Sequence, residues 1–236
     1  MCNKVECLQV IWKDLETRQR VAIGTLCKGD NYVFAYNQAT LSKAKKLGFK
    51  GLVAFQDIEK EYVSSVLFPA FATRLPDRRR SDIQVILEKY GLSEYNAFEL
   101  LKKTEGRLPI DTLEFIETID LNKITSNSSV EKIFFVAGVR HCEACDDKKG
   151  DNCTLKIPFN IGESLTLVLD TENPFDSNAV MLYKGDKKVG FVPNYYSKAI
   201  HDAIIGKFKL KCIVKEFNNQ SSCQECLKVA LTIEKE

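Results

Sequence analysis

The sequence predicts an α+β chain: a small antiparallel sheet plus short helices, followed by a mostly β, partly closed barrel with one helix. Three observations lead there. Short apolar runs of strand type open the chain, the apolar period lengthens to three or four residues beyond Pro69, and past residue 130 a series of strand-like runs returns, punctuated by turn residues. At 236 residues the chain is long enough for one large domain or two small ones, each able to bury a core.

Taken in order, residues 8–11 and 21–26 read as strands joined by a charged hairpin over 13–20, and residues 32–36 as a third strand after the turn Lys28-Gly29-Asp30-Asn31. A short helix is expected over 40–46, closed by Gly48, and a further strand over 51–55. Ile83, Val85, Ile86 and Tyr90 then share a helix face that stops at Gly91. Residues 96–103 place Phe98, Leu100 and Leu101 on a helix ending near Gly106, and 112–119 read as one or two more helical turns. The run Arg78-Arg79-Arg80 precedes the first of these helices, where the macrodipole favours anions. Its simplest reading is a solvated surface, with an acidic partner as the alternative.

The polar stretch 121–130 is expected to be a linker, dividing the chain into domains over 1–122 and 131–236. Beyond it, strands are expected over 132–139, 155–159, 165–169, 180–183, 189–192, 210–214 and 227–233. One helix over 195–205 interrupts them, with Tyr196, Ala199, Ile200, Ala203 and Ile204 as its apolar stripe. Between two of these strands sits Asn173-Pro174-Phe175-Asp176-Ser177-Asn178-Ala179, a loop that carries an aromatic ring, a carboxylate and two side-chain amides. By composition alone it is a turn.

Charge excludes little. The formal net charge of +2 is close to neutral, and basic and acidic residues are equal in number from residue 126 onward. Nucleic-acid binding would have to rest on local groups, such as Lys184, Lys187 and Lys188, or Lys207, Lys209 and Lys211. The last three alternate with apolar residues, as the solvent face of a strand does. No apolar run approaches the roughly 20 residues needed to span a bilayer. The N-terminus also lacks the layout of a secretory signal, so the expected location is cytoplasmic, with no membrane partner.

In such a reducing compartment the nine cysteines are expected to be buried thiols or metal ligands rather than disulfides. Cys142-Glu143-Ala144-Cys145 and Cys223-Gln224-Glu225-Cys226 are C-x-x-C pairs in polar insertions. Paired C-x-x-C loops supply the four soft ligands of tetrahedral zinc, provided the fold brings together loops separated by about 80 residues. Structural zinc and ordinary thiols both stay open, with Cys153 and His141 as substitute ligands. Catalytic chemistry finds no support: the only histidines are His141 and His201, and the acidic Asp146-Asp147 reads as a hydrated loop.

Two resemblances add to this reading. Val66-Leu67-Phe68-Pro69-Ala70-Phe71, Leu75-Pro76-Asp77-Arg78-Arg79-Arg80 and Gly91-Leu92 after a strand meander resemble the N-terminal subdomain of HipA-type kinases, over about residues 8–120. Neither the Gly-rich nucleotide loop nor the catalytic and metal-binding residues of a kinase core follow, so the resemblance implies docking of a protein partner without phosphotransfer. The second set is Val136-Ala137-Gly138-Val139-Arg140, Leu167-Val168-Leu169-Asp170, Glu172 to Val180, and Lys188-Val189-Gly190-Phe191-Val192-Pro193. It resembles the HIRAN domain, a DNA-end-binding module, over roughly 132–233. That resemblance implies a surface for single-stranded DNA with a free 3′-hydroxyl. Asp176 would hold the hydroxyl and Phe175 would contact the terminal nucleotide. Arg140 and His141 would meet phosphate and base, Phe191 would line the opposite wall, and Asn173 and Asn178 belong to the same motif. Phe175 and His141 stand where the family often has Tyr, and Asn194 where a basic residue can occur.

The expected function is therefore a non-enzymatic, bacterial DNA-end-binding adaptor. Its main alternative is a regulatory interaction subunit of a toxin–antitoxin or phage-defence system acting on a HipA-like kinase or a nuclease; a divergent enzyme is a third class.

Overall fold

In the computed structural model, residues 5–108, 112–142, 145 and 157–235 are described. The chain divides into two compact units, Met1–Thr118 and Ile119–Glu236. No helix among the described residues is long and apolar enough to cross a membrane.

The first unit is built from β1 (Glu6–Lys13), β2 (Arg20–Lys28), β3 (Tyr32–Tyr36), α1 (Gln38–Lys46), β4 (Tyr62–Ser64), α2 (Pro69–Ala72), α3 (Ile83–Lys89), α4 (Ala97–Thr104) and β5 (Leu113–Glu117). Its strands form one antiparallel sheet in the order β4-β3-β2-β1-β5. Aromatic residues fill the core. The Phe34 ring centroid lies 4.6 Å from that of Phe55 and 5.4 Å from that of Phe71, which in turn lies 5.0 Å from Phe115. Asn96 caps α4 by accepting from the Phe98 and Glu99 amides, and the helix buries Phe98, Leu100 and Leu101 as its periodicity requires.

Three expectations are corrected here. Residues 51–55 are no strand: a turn closed by a Leu52–Phe55 bridge sends Phe55 into the aromatic core and leaves Val53 exposed. Residues 112–119 are not helical, because the open edge of β1 offers backbone partners that so short a helix lacks, and β5 pairs there from Leu8–Glu117 to Trp12–Leu113. The alternation of β5 buries Glu114 as well as Phe115. Its carboxylate accepts both a bifurcated bond from Arg20 Nε, at 3.2 and 3.1 Å, and one from Arg107 at 3.3 Å. Finally, Cys7 and Cys27 are not thiols. They face each other in the β1–β2 register, with Cα atoms 4.0 Å apart, and are joined as a disulfide.

The basic run before α3 is exposed and flanked by its own counter-charges. Arg79 pairs with Asp77 at 2.9 Å and Arg80 with Asp82 at 2.8 Å. The Arg79 hydrogen bond draws the Asp77 carboxyl down to about 2.

The second unit contains β6 (Ser129–Phe135), β7 (Ser164–Leu169), β8 (Val180–Lys184), β9 (Lys187–Phe191), α5 (Asn194–Ile205), β10 (Lys209–Phe217) and β11 (Leu227–Glu234). The supposed linker is shorter than expected, since Asp120 caps a 3-10 turn at Leu121–Lys123 and β6 already begins at Ser129. The expected strand over 155–159 begins outside the described residues, and 157–159 are irregular. The sheet is antiparallel in the order β6-β11-β10-β7-β8-β9. It is not closed along its length, but its first and last strands meet at one point. Just past β6, Ala137 exchanges two 2.8 Å backbone hydrogen bonds with Phe191 at the end of β9. Along α5, Tyr196, Ser197, Ile200 and Ala203 are buried.

Candidate functional site

The meeting of β6 with β9 gathers the motif segments of the second half. After Ala137 the chain turns through Gly138, whose φ of +69° suits glycine, into a 3-10 turn at Val139–His141. A Cβ at Gly138 would lie 3.2 Å from the Phe191 ring, so the glycine also lets that ring seat against the backbone. Lys188 Nζ lies 4.0 Å from the centroid of the same ring. Phe191 is thus a half-buried wall already carrying a cation.

On its other side Phe191 pairs with Met181, and the next residue, Val192, donates to the carbonyl of Val180. This brings the start of α5 under the loop between β7 and β8. That loop is fixed by its own side chains. Asn173 Oδ1 accepts from the Phe175 and Asp176 amides at 3.0 and 3.1 Å, while its Nδ2 donates to Asp170 at 3.0 Å. Asp176 Oδ1 accepts from the Asn178 amide at 2.9 Å. Its Oδ2 accepts from Asn194 Nδ2 at 2.9 Å and Ser197 Oγ at 2.7 Å, tying the loop to the first turn of α5. Phe175 projects from this clamped loop with 92 % of its surface exposed.

The structure therefore brings Asn173, Asp176 and Asn178 into one hydrogen-bonded group and sets Phe175 on top of it. Asn194 and Ser197 complete the group. Sequence reading treated Asn194 only as an absent cation and passed over Ser197; a helix start with two side-chain donors was the available signal. Arg140 and His141 engage each other, with Arg140 Nε donating to His141 Nε2 at 3.1 Å. Desolvation and the adjoining Arg140 charge hold His141 below the usual histidine range, which keeps the ring able to accept. Among the described residues no hydrogen bond or ion pair joins this pair to the 173–178 loop.

Cys142, Cys145, Cys223 and Cys226 are all buried, and Cys145 Sγ lies 3.3 Å from Cys223 Sγ. Among the described residues no three His, Cys, Asp or Glu side chains already stand together as a metal-binding group. Cys153, Asp146 and Asp147 lie outside the described residues. Cys212, on β10, is a buried thiol that desolvation pushes up to about 12, so it is chemically quiet.

No curated protein matches the chain. Among solved structures, the HIRAN domain of human HLTF is 19% identical, covering 48% of this chain and 84% of its own, with a TM-score of 0.35. A protein from Lactobacillus plantarum is 18% identical, covering 45% of this chain and 95% of its own, also at 0.35. The HIRAN domain model matches residues 131–232 and the HipA N-terminal domain model residues 17–109. By these matches the chain is similar to the HipA N-terminal domain over residues 17–109 and to the HIRAN domain over residues 131–232.

Proposed function

We propose that the protein is a non-enzymatic adaptor whose second unit binds single-stranded DNA at a free 3′-hydroxyl end. The observation that carries this reading is Phe175. A fully exposed phenylalanine forgoes roughly 1.5–3 kcal/mol of burial, and here the ring is presented by a loop that Asn173 and Asp176 hold rigid. An aromatic face fixed in water is a stacking platform for an unpaired base. The HIRAN match supports the same assignment.

Asp176 supplies the end recognition. A carboxylate has about four acceptor sites, and the chain's own donors occupy three of those of Asp176, two on Oδ2 and one on Oδ1. The remaining Oδ1 site accepts a hydroxyl donor but repels a phosphate. Arg140, beside a neutral His141, and Lys188, over Phe191, provide cations for the adjoining phosphates.

Fluorescence anisotropy with oligonucleotides ending in 3′-hydroxyl or 3′-phosphate tests this. The hydroxyl end is expected to bind more tightly, and the preference to vanish in Asp176→Ala. Because Asp176 also holds the loop, the readout is the ratio between the two ends, not affinity alone; equal binding by the unsubstituted protein sinks end recognition.

The HipA N-terminal match favours a second role for the first unit, docking a protein partner that the protein regulates, such as a HipA-like kinase or a nuclease of a toxin–antitoxin or defence system. A stable stoichiometric partner co-purified from the native host, with no DNA affinity, would make this the whole function.

A further inference from the structure

The two C-x-x-C segments lie 78 residues apart in the chain, yet the fold places Cys145 Sγ 3.3 Å from Cys223 Sγ. In a tetrahedral thiolate site with Zn–S of about 2.3 Å, neighbouring sulfurs stand about 3.8 Å apart, so this pair is within about half an ångström of one edge of such a site. Cys142 closes a turn with Cys145, and Cys226 directly follows the turn that holds Cys223. The Cys145 amide donates to the Cys142 carbonyl at 3.1 Å, and a second turn spans Ser222 to Glu225, closed by a 2.9 Å backbone bond. All four sulfurs belong to residues no more than 5% exposed.

This burial is unusual for its setting. Between β10 and β11 the chain reads Asn218-Asn219-Gln220-Ser221-Ser222-Cys223-Gln224-Glu225-Cys226, with no aliphatic or aromatic side chain to drive it inward. Nevertheless Cys223 and Cys226 are 0% and 1% exposed. Cys142 Sγ points to the Gly138 carbonyl at 3.6 Å and Cys226 Sγ to the Cys223 carbonyl at 3.7 Å. A thiol is a weak donor, so these two contacts themselves offer little resistance to ligation.

We propose that Cys142, Cys145, Cys223 and Cys226 form a structural zinc site that ties the turn after β6 to the connection between β10 and β11. Binding releases the thiol protons and leaves four thiolates on a closed tetrahedral ion. Because Cys142 follows His141 directly, the metal would also anchor the turn that carries Arg140.

The test uses the full chain, expressed without added metal and purified under reducing conditions. Elemental analysis is expected to find one zinc per chain, and a mercurial thiol reagent to release it to a metallochromic dye. Cys145→Ser with Cys223→Ser should lower the zinc to well below one per chain, while Cys212→Ser should leave it unchanged. If the double variant does not fold, the unsubstituted apo protein titrated with cobalt should develop the visible bands of a tetrahedral cobalt thiolate. Protein without metal that also gives no such cobalt spectrum overturns the site. So does iron in place of zinc, or a Cys145–Cys223 disulfide that persists in the reduced preparation.

Discussion

Phe175 separates binding from stability. With 92 % of its surface exposed, the ring makes little contribution to the packed core. Phe175→Ala should therefore shift unfolding free energy by no more than about 0.5 kcal/mol, the ordinary range for surface positions. Loss of one stacked base costs about 1 to 3 kcal/mol, so single-strand affinity should fall roughly 5- to 150-fold. Anisotropy beside thermal unfolding reads both, and an unchanged affinity would remove Phe175 from the site. The clamp beneath the ring was legible in the sequence as far as it is local: Asn173 and Asp176 bond amides two and three residues away, which is ordinary turn chemistry. Its second half was not, because Asn194 and Ser197 reach Asp176 from 18 and 21 residues away and only the packing of α5 brings them there. The Cys7–Cys27 disulfide escaped for the same reason: compartment and cysteine count say nothing about which residues face each other across a hairpin.

At the scale of elements, the site depends on the junction of β6 with β9, and that junction depends on Gly190. Its φ is +152°, and a Cβ there would stand 2.3 Å from Val136 Cγ1 and 2.7 Å from the Ala137 carbonyl oxygen. Backbone strain of about 1–3 kcal/mol adds to an overpacking cost of about 1–3 kcal/mol. Gly190→Ala should thus destabilise the second unit by about 2–6 kcal/mol in urea unfolding. Adding Val136→Ala removes the side-chain clash but not the carbonyl contact, so it should recover only part of that loss. Full stability in the single variant would mean that the edges can meet without this close approach. The strands themselves were readable, since period-two apolar runs bounded by turn residues mark β7 to β11 well. Where they meet was not, because pairing of the first and last strands leaves no local trace. The ambiguity at 112–119 has a related origin. Leu113, Phe115 and Ile116 satisfy both a strand and a short helix, and only the vacant edge of β1 and the Arg20–Glu114 pair decide between them.

At the scale of the molecule, charge bears on how the proposed DNA end would be held. The chain is close to neutral overall, and in the second unit several lysines are committed to carboxylates: Lys184 to Glu163, Lys198 to Asp202, Lys209 to Glu234 and Lys228 to Glu216. The cations that the proposed end pocket would use are Arg140 and Lys188. A protein that neutralises Z phosphates of a single strand loses affinity with a log–log salt slope of about −0.7Z. With two phosphate contacts the slope should be about −1.4, far shallower than for a surface that follows the backbone over many phosphates. Binding through a stacked terminal base and a hydroxyl contact is consistent with so small an electrostatic share, since neither interaction displaces counterions. Anisotropy titrations across a salt series measure the slope directly. A shallow slope together with 3′-hydroxyl preference fits an end pocket. A slope steeper than about −4 without end preference would instead show that the strand is tracked along its phosphates by lysines and arginines elsewhere in the chain, and would move the DNA-binding surface away from the loop that carries Phe175.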